Sequence, residues 1–143
     1  MSRLKVAVGK LKEGELFRYA AHRAVETYYE RRFGIDTGHE VMLDTLGVND
    51  PDAVRYSPTP YPAFFKAMKL VGANLPTATL VDYGSGLGRI VICAATLPLR
   101  KVIGVEFVHE LDRRARLNIA AATARYLRRK RRKLRYPQIR AIT

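Results

Sequence analysis

Apolar residues recur at helical spacing near the amino-terminal end of the chain, with glutamates and arginines between them. From about Glu13 to Phe33 the apolar set comprises Leu16, Phe17, Ala20, Ala21, Ala24, Val25, Tyr28 and Tyr29. This pattern predicts an amphipathic helix, and Gly34 is a suitable residue to end it. Residues 35–58 are rich in Asp, Gly and Pro and show no sustained period. We therefore expect mostly loop there, with at most a short strand at residues 41–43.

A second helix is predicted to follow the string Tyr-Ser-Pro-Thr-Pro at residues 56–60. Thr59 can cap a helix whose first residue is Pro60, because a threonine side chain accepts a hydrogen bond from a free backbone N–H and proline is favoured at the first helical position. This helix should end near Gly72. Its apolar face would consist of Phe64, Phe65, Met68 and Val71.

Beyond residue 78, short apolar runs alternate with helical patterns. Residues 79–81 and 101–105 predict buried strands, residues 89–96 and 109–133 predict helices, and residues 138–143 leave room for a third strand to begin. The predicted fold class is therefore α/β: a partial doubly wound, Rossmann-like sheet of two to three strands with crossover helices, preceded by an N-terminal helical and loop segment.

The same pattern divides the chain into two segments. Residues 1–55 form an N-terminal helix and loop segment, and residues 56–143 form a partial α/β domain. The second segment includes a basic C-terminal stretch at residues 125–140.

Composition changes this picture in one respect, which is charge. A chain of 143 residues suits a single domain, but its net charge is +13, and much of the excess lies in the stretch from Arg125 to Arg140. Such a charge indicates an anionic partner. Three interpretations of the stretch stay open: a solvated helix end, a patch that follows nucleic-acid phosphates with Tyr126 and Tyr136 as stacking groups, and a docking site for an acidic protein.

Simple counts argue against several other classes of function. No run approaches the roughly 20 apolar residues of a membrane span, and the first residues lack an apolar stretch of signal-peptide length, so we expect a cytoplasmic protein without a membrane partner. Cys93 lies in an apolar run and is expected to be a buried, unreactive side chain. No metal is expected, because no metal-ligand spacing relates the histidines His22, His39 and His109.

The candidate chemistry lies in residues 81–89, Val-Asp-Tyr-Gly-Ser-Gly-Leu-Gly-Arg, which follow the first predicted strand and open a helix. A tight turn from strand to helix favours glycine, which adopts positive φ freely and leaves room for a ligand against the backbone. Asp82 at the end of this strand and Glu106 at the end of the next would face the crevice where doubly wound sheets bind ligands. A carboxylate at Glu106 can accept hydrogen bonds from both hydroxyls of a ribose.

The spacing of the glycines distinguishes between classes of ligand. The loop has Gly-x-Gly-x-Gly rather than the Gly-x-Gly-x-x-Gly of dinucleotide sites, and the chain contains no Gly-x-x-x-x-Gly-Lys string. Asp82, two positions before the first glycine, would repel a pyrophosphate. It suits a ligand with a positive end, such as the amino group or the sulfonium of S-adenosylmethionine.

This segment resembles motif I and the following acidic position of class I S-adenosylmethionine-dependent methyltransferases, and the resemblance covers about residues 56–121. It implies S-adenosyl-L-methionine as cofactor, with Asp82 near its amino group and Glu106 on its ribose hydroxyls. In the family, the glycine loop packs against the methionine and ribose of the cofactor. Here that loop would comprise Gly84, Ser85, Gly86 and Gly88.

The upstream string at residues 56–60 is similar to a Tyr-x-Pro-Thr-Pro element in one branch of the family, which includes non-SET histone and other protein lysine methyltransferases. In that branch the threonine lies near the cofactor carboxylate. The resemblance thus implies a cofactor contact for Thr59, beside its alternative role as a helix cap.

The resemblance ends about where a third strand would begin, before the family's adenine-binding acidic residue and its acceptor-site motif. We therefore expect a truncated copy or fragment, or a chain that completes its sheet by association, and we name no catalytic residue. Protein lysine, RNA and a small molecule are all compatible methyl acceptors. Two other hypotheses stay open: a non-catalytic basic module that binds nucleic acid or an acidic protein, and a nicotinamide-dependent oxidoreductase.

Overall fold

The computed structural model describes residues 3–48, 55–129 and 139–142. Most of the basic stretch at 125–140, Tyr136 included, lies outside these residues. The helices in these ranges are α1 (Arg3–Phe33), α2 (Tyr61–Val71), α3 (Arg89–Ala94) and α4 (His109–Arg129). The strands are β1 (Val41–Met42), β2 (Arg55–Tyr56), β3 (Thr79–Tyr83), β4 (Lys101–Val105) and β5 (Ile139–Ile142).

A parallel sheet with the order β3-β4-β5 forms the centre of the fold. Asp82 of β3 is in register with Gly104 of β4, and Gly104 is in register with Ala141 of β5. Helix α3 lies between β3 and β4 in the chain, and α4 follows β4. The predicted α/β class is therefore confirmed, and the expected third strand is present as β5.

The main core lies between the sheet and helices α2 and α3. Its fully buried members include Tyr61 of α2, Val91 of α3 and Val102 of β4. Helix α1 joins this core through Tyr29, whose ring stacks on that of Tyr61 with a centroid distance of 4.6 Å. Cys93 is fully buried as predicted, and burial raises the pKa of its thiol to about 12.

A smaller apolar cluster holds the loop between α1 and α2 against the glycine loop. It consists of Val41, Leu43, Leu87, Val108 and Leu111. The loop prediction for residues 35–58 is confirmed for its described part, where the regular elements are the antiparallel pair β1–β2 and a short 3-10 turn at Leu43–Leu46. This cluster places Tyr56 of β2 over the start of α3.

Two details differ from the sequence prediction. Helix α1 begins at Arg3 rather than near Glu13, and two residues of its predicted apolar face, Leu16 and Phe17, are exposed. The predicted helix cap at Thr59 is wrong: Pro60 precedes the first turn of α2, and no side chain caps it. The two prolines at 60 and 62 set φ for this first turn, so the helix starts without a threonine cap.

No helix in the described ranges combines the length and apolar content needed to cross a membrane.

Candidate cofactor-binding site

The glycine loop turns the chain from β3 into α3 with three residues in the left-handed region. Gly84, Gly86 and Gly88 have φ values of 72°, 53° and 82°. The backbone N–H groups of Gly84 and Ser85 donate to the carbonyl of Val105 at 2.8 and 3.0 Å, which fixes the loop to the end of β4. A residue with a Cβ would be strained at each of the three glycine positions.

The three glycines are required for different reasons. A Cβ built on Gly84 meets nothing within 4 Å, and this glycine lines an open cavity. A Cβ on Gly86 would collide with the Tyr56 ring, and one on Gly88 would lie 3.2 Å from the Cβ of Ala115 in α4. Gly84 therefore leaves room for a ligand, whereas the other two leave room for the protein itself.

Glu106 follows β4 and is held in a fixed orientation by the backbone. Its Oε2 accepts a hydrogen bond from the N–H of Gly86 at 2.7 Å, and its Oε1 accepts one from the N–H of Val108 at 2.9 Å. The side chain is buried. Because each carboxylate oxygen has two lone pairs, both oxygens keep capacity to accept from a ligand hydroxyl.

Asp82 lies at the end of the neighbouring strand, on the same side of the sheet. Burial, and secondarily the negative charge of Glu106, raise its pKa from 3.8 to about 6. Both causes disfavour the ionised form, so a positive ligand group beside Asp82 would relieve the electrostatic penalty. The two carboxylates thus make this end of the sheet a site for a cation.

The two carboxylates share one cavity of about 250 Å³, close to the lower bound of roughly 300 Å³ for small-molecule sites. Thr59 and Ser85 also line it, whereas Gly86 and Gly88 do not. Five of the seven predicted site residues are therefore brought to one cavity, and two lie beneath it. The full lining is Leu43, Arg55, Tyr56, Ser57, Thr59, Asp82, Gly84, Ser85, Arg89, Ile90, Glu106, Phe107 and Leu111.

Arg89, the first residue of α3, is a site residue that the sequence analysis did not single out. Its guanidinium is 2% exposed and pairs with Glu26 at 2.6 Å and with Glu30 at 3.2 Å, both on α1. It also donates to the carbonyl of Thr59 at 3.1 Å and lies 4.2 Å from the ring centre of Tyr61. One cation therefore joins α1, the start of α2 and the glycine loop.

The same network reaches the ring that covers Gly86. Glu30 accepts hydrogen bonds from the hydroxyls of Thr37 and Tyr61, each at 2.7 Å. The carbonyl of Thr37 accepts a bond from the Tyr56 hydroxyl at 3.1 Å. Burial raises the pKa of the Tyr56 phenol, so this hydroxyl stays protonated as a donor.

The sequence did contain an indication of this network. Glu26 and Glu30 are one helical turn apart on α1, beside the core residue Tyr29. Two carboxylates on a partly apolar face require a buried cation, because unpaired charges are rarely buried.

No protein-family model matches the sequence, and no curated protein matches it. The solved structures similar to the chain include that of an RNA methyltransferase from Salinibacter ruber in complex with S-adenosyl-L-homocysteine. That match has 38% sequence identity and a TM-score of 0.42, and it covers 50% of this chain and 46% of the other. This chain thus spans less than half the length of that protein. The function proposed below rests on the residues of the cavity.

Proposed function

We propose that the cavity binds S-adenosyl-L-methionine and that the chain is the cofactor-binding portion of a class I methyltransferase. The observation that carries the proposal is the placement of Asp82 and Glu106, which line one cavity at the ends of adjacent parallel strands, beside a glycine whose missing Cβ leaves open space.

Each part of the cofactor has a matching group in the cavity. Glu106 is oriented to accept hydrogen bonds from the two ribose hydroxyls, since its backbone contacts already fix both oxygens. Phe107 is 65% exposed and lines the cavity, where its ring offers a surface for the adenine. Asp82 is the counter-charge for the positive methionine end, and Gly84 lets the ligand approach the backbone.

The chemistry that follows needs little acid–base catalysis. When bound, S-adenosylmethionine supplies a methyl group on a sulfonium that is already a good leaving group. The residues of this chain would bind and orient it, because alignment of acceptor, methyl and sulfur is the main requirement of the step. The proposal assigns no catalytic residue and covers three acceptor classes: a protein lysine, RNA and a small molecule.

Calorimetric titration with S-adenosylmethionine tests the proposal. We expect wild-type protein to bind, and Asp82→Asn and Glu106→Gln to lower the affinity roughly tenfold or more, because each loses a charge-assisted contact. Asp36→Asn and Glu15→Gln are matched controls, since they remove the same charges from exposed positions outside the cavity. Thermal melting of each variant separates loss of binding from loss of fold.

Titration with NAD distinguishes the alternatives. Binding of NAD but not of S-adenosylmethionine would replace the proposal with a nicotinamide-dependent site. Binding of neither by a folded protein would favour the non-catalytic basic module. Equal loss of affinity in the cavity variants and in the controls would contradict the assigned roles of Asp82 and Glu106.

A further inference from the structure

An open groove of about 640 Å³ lies between α1 and α4, away from the cofactor cavity, with which it shares no lining residue. Arg23 and Arg31 stand two turns apart on α1, with Arg32 beside the second of them. Arg125 of α4 forms the other wall, where its side chain packs over Gly34 at the end of α1. Four arginines therefore converge on one groove.

The charges of these four arginines are not neutralised within the described part of the chain. No carboxylate there forms an ion pair with Arg23, Arg31, Arg32 or Arg125. Other arginines of the chain do have acidic partners: Arg55 pairs with Glu40, Arg89 with Glu26 and Glu30, and Arg113 with Glu110. The groove thus concentrates positive charge that an external anion can neutralise.

The acidic residues of α1 do not offset this charge, because they face a different side of the helix. Glu26 and Glu30 turn toward the buried Arg89, which they neutralise. The groove residues occupy the rows Arg23–Thr27–Arg31 and Ala24–Tyr28–Arg32, each with a spacing of four residues. Helix α1 therefore carries an acidic side toward the core and a basic side toward solvent.

Exposed aromatic rings accompany the arginines. Tyr28 lines the groove and is 56% exposed, and its hydroxyl accepts a hydrogen bond from Arg32 at 3.3 Å. Phe17 is 76% exposed and lies eleven residues earlier, which is close to three turns, so both rings fall on one side of α1 about 16 Å apart. Arginines beside exposed aromatic rings are typical of surfaces that bind unpaired nucleic-acid strands.

We propose that this groove binds single-stranded nucleic acid, with the four arginines on its phosphates and Phe17 and Tyr28 as stacking surfaces for its bases. An acidic protein would also be attracted by the charge, but it would make no use of two exposed rings in line with the arginines. A duplex offers phosphates, but its paired bases cannot stack on the rings. The proposal is independent of the cofactor, because the groove and the cavity are separate.

Fluorescence anisotropy with labelled single-stranded RNA and DNA of about twelve nucleotides tests this proposal. Each phosphate contact lowers the slope of log affinity against log salt by about 0.7 for single strands. The double variant Arg31→Gln/Arg125→Gln should therefore reduce the magnitude of the slope by about 1.4. Lys66→Gln/Lys69→Gln on exposed positions of α2 is the matched control and should change the slope little.

A second variant tests stacking without a change in charge. Phe17→Ser should weaken binding of the single strands roughly fivefold or more and leave the salt slope unchanged. Circular dichroism and S-adenosylmethionine titration serve as fold controls, since none of these substitutions touches the cavity. Preferred binding of RNA or of DNA identifies the source of the strand.

Three results would overturn the proposal. Equal loss of slope in the arginine and lysine double variants would show a diffuse charge effect. Equal affinity for polyglutamate or for a duplex would show that the groove attracts any polyanion. Absence of binding by the wild-type protein at about 0.05 M salt would remove the site altogether.

Discussion

Gly84 and Gly86 share a left-handed backbone conformation but differ in their surroundings, and the structure separates the two roles. We predict that Gly84→Ala costs about 1–2 kcal/mol of stability through backbone strain and also lowers affinity for S-adenosylmethionine, because the new Cβ projects into the cavity. Gly47→Ala is the matched control: Gly47 has φ of 77°, has open space at its Cβ position and lies outside the cavity. It should cost similar stability and leave affinity unchanged.

Gly86→Ala should behave differently, since its Cβ would collide with the Tyr56 ring. Its loss of stability should exceed that of both other glycine variants in urea unfolding. Equal losses in all three, or a loss of affinity in Gly47→Ala, would contradict the roles assigned to the loop.

The ionisation of Asp82 leads to a prediction about stability. Its pKa in the folded protein is about 6, above the ordinary value of 3.8, so the folded state holds this proton more tightly than the unfolded state does. Its contribution to stability is complete below about pH 4 and is lost as the pH rises through 6. Asp82→Asn should therefore gain stability relative to wild type on going from about pH 4 to about pH 7.

Urea unfolding of the wild-type protein and of Asp82→Asn at several pH values measures this effect. The difference in unfolding free energy isolates Asp82 from other groups that titrate. A difference that stays constant between about pH 4 and pH 7 would show that the carboxyl is not perturbed as described.

Sequence alone placed the two carboxylates correctly, because parallel strand ends meet at one edge of a sheet whatever the rest of the fold does. It did not separate the glycines by role. The role of Gly86 depends on Tyr56, thirty residues earlier, and that of Gly88 depends on Ala115 on another helix. Such approaches arise only from tertiary packing.

At the scale of elements, α1 is fixed to the sheet by the buried cation of α3. We predict that Arg89→Ala destabilises the protein by about 3–5 kcal/mol, because Glu26 and Glu30 would stay buried without a counter-charge. Arg113→Ala removes an exposed ion pair with Glu110 and should have little effect. Urea unfolding measures both.

A compensating variant distinguishes unpaired charge from lost packing. Combining Arg89→Met with Glu26→Gln and Glu30→Gln should recover part of the lost stability, since it removes the uncompensated carboxylates. Failure to recover any stability would show that the contacts of Arg89 with Thr37, Thr59 and Tyr61 matter more than its charge.

The elements themselves were largely predictable where apolar periods are strong, as in β4 and α2. The errors lie where local rules compete with context. Thr59 is a good helix cap by residue type, yet Pro60 precedes the helix and Thr59 instead supplies its carbonyl to Arg89. Leu16 and Phe17 fit a helical period but are exposed, because α1 uses Glu26, Tyr29 and Phe33 for its core contacts.

At the scale of the whole molecule, charge is segregated by location. The chain carries a net charge of +13, yet carboxylates dominate its interior: Glu26 and Glu30 around Arg89, and Asp82 and Glu106 around the cavity. Arginines without acidic partners in the described part lie on the outer side of α1 and on α4. A cationic nucleoside and a polyanionic strand would therefore be attracted to separate places.

The central claim is that Asp82 and Glu106 together recognise this nucleoside, and a crystal structure of the protein with S-adenosyl-L-homocysteine tests it most directly. We predict that both ribose hydroxyls lie within hydrogen-bond distance of the Glu106 carboxylate and that the ligand amino group lies beside Asp82, directly or through one water. A ligand bound elsewhere, or one whose ribose makes no contact with Glu106, would contradict the account.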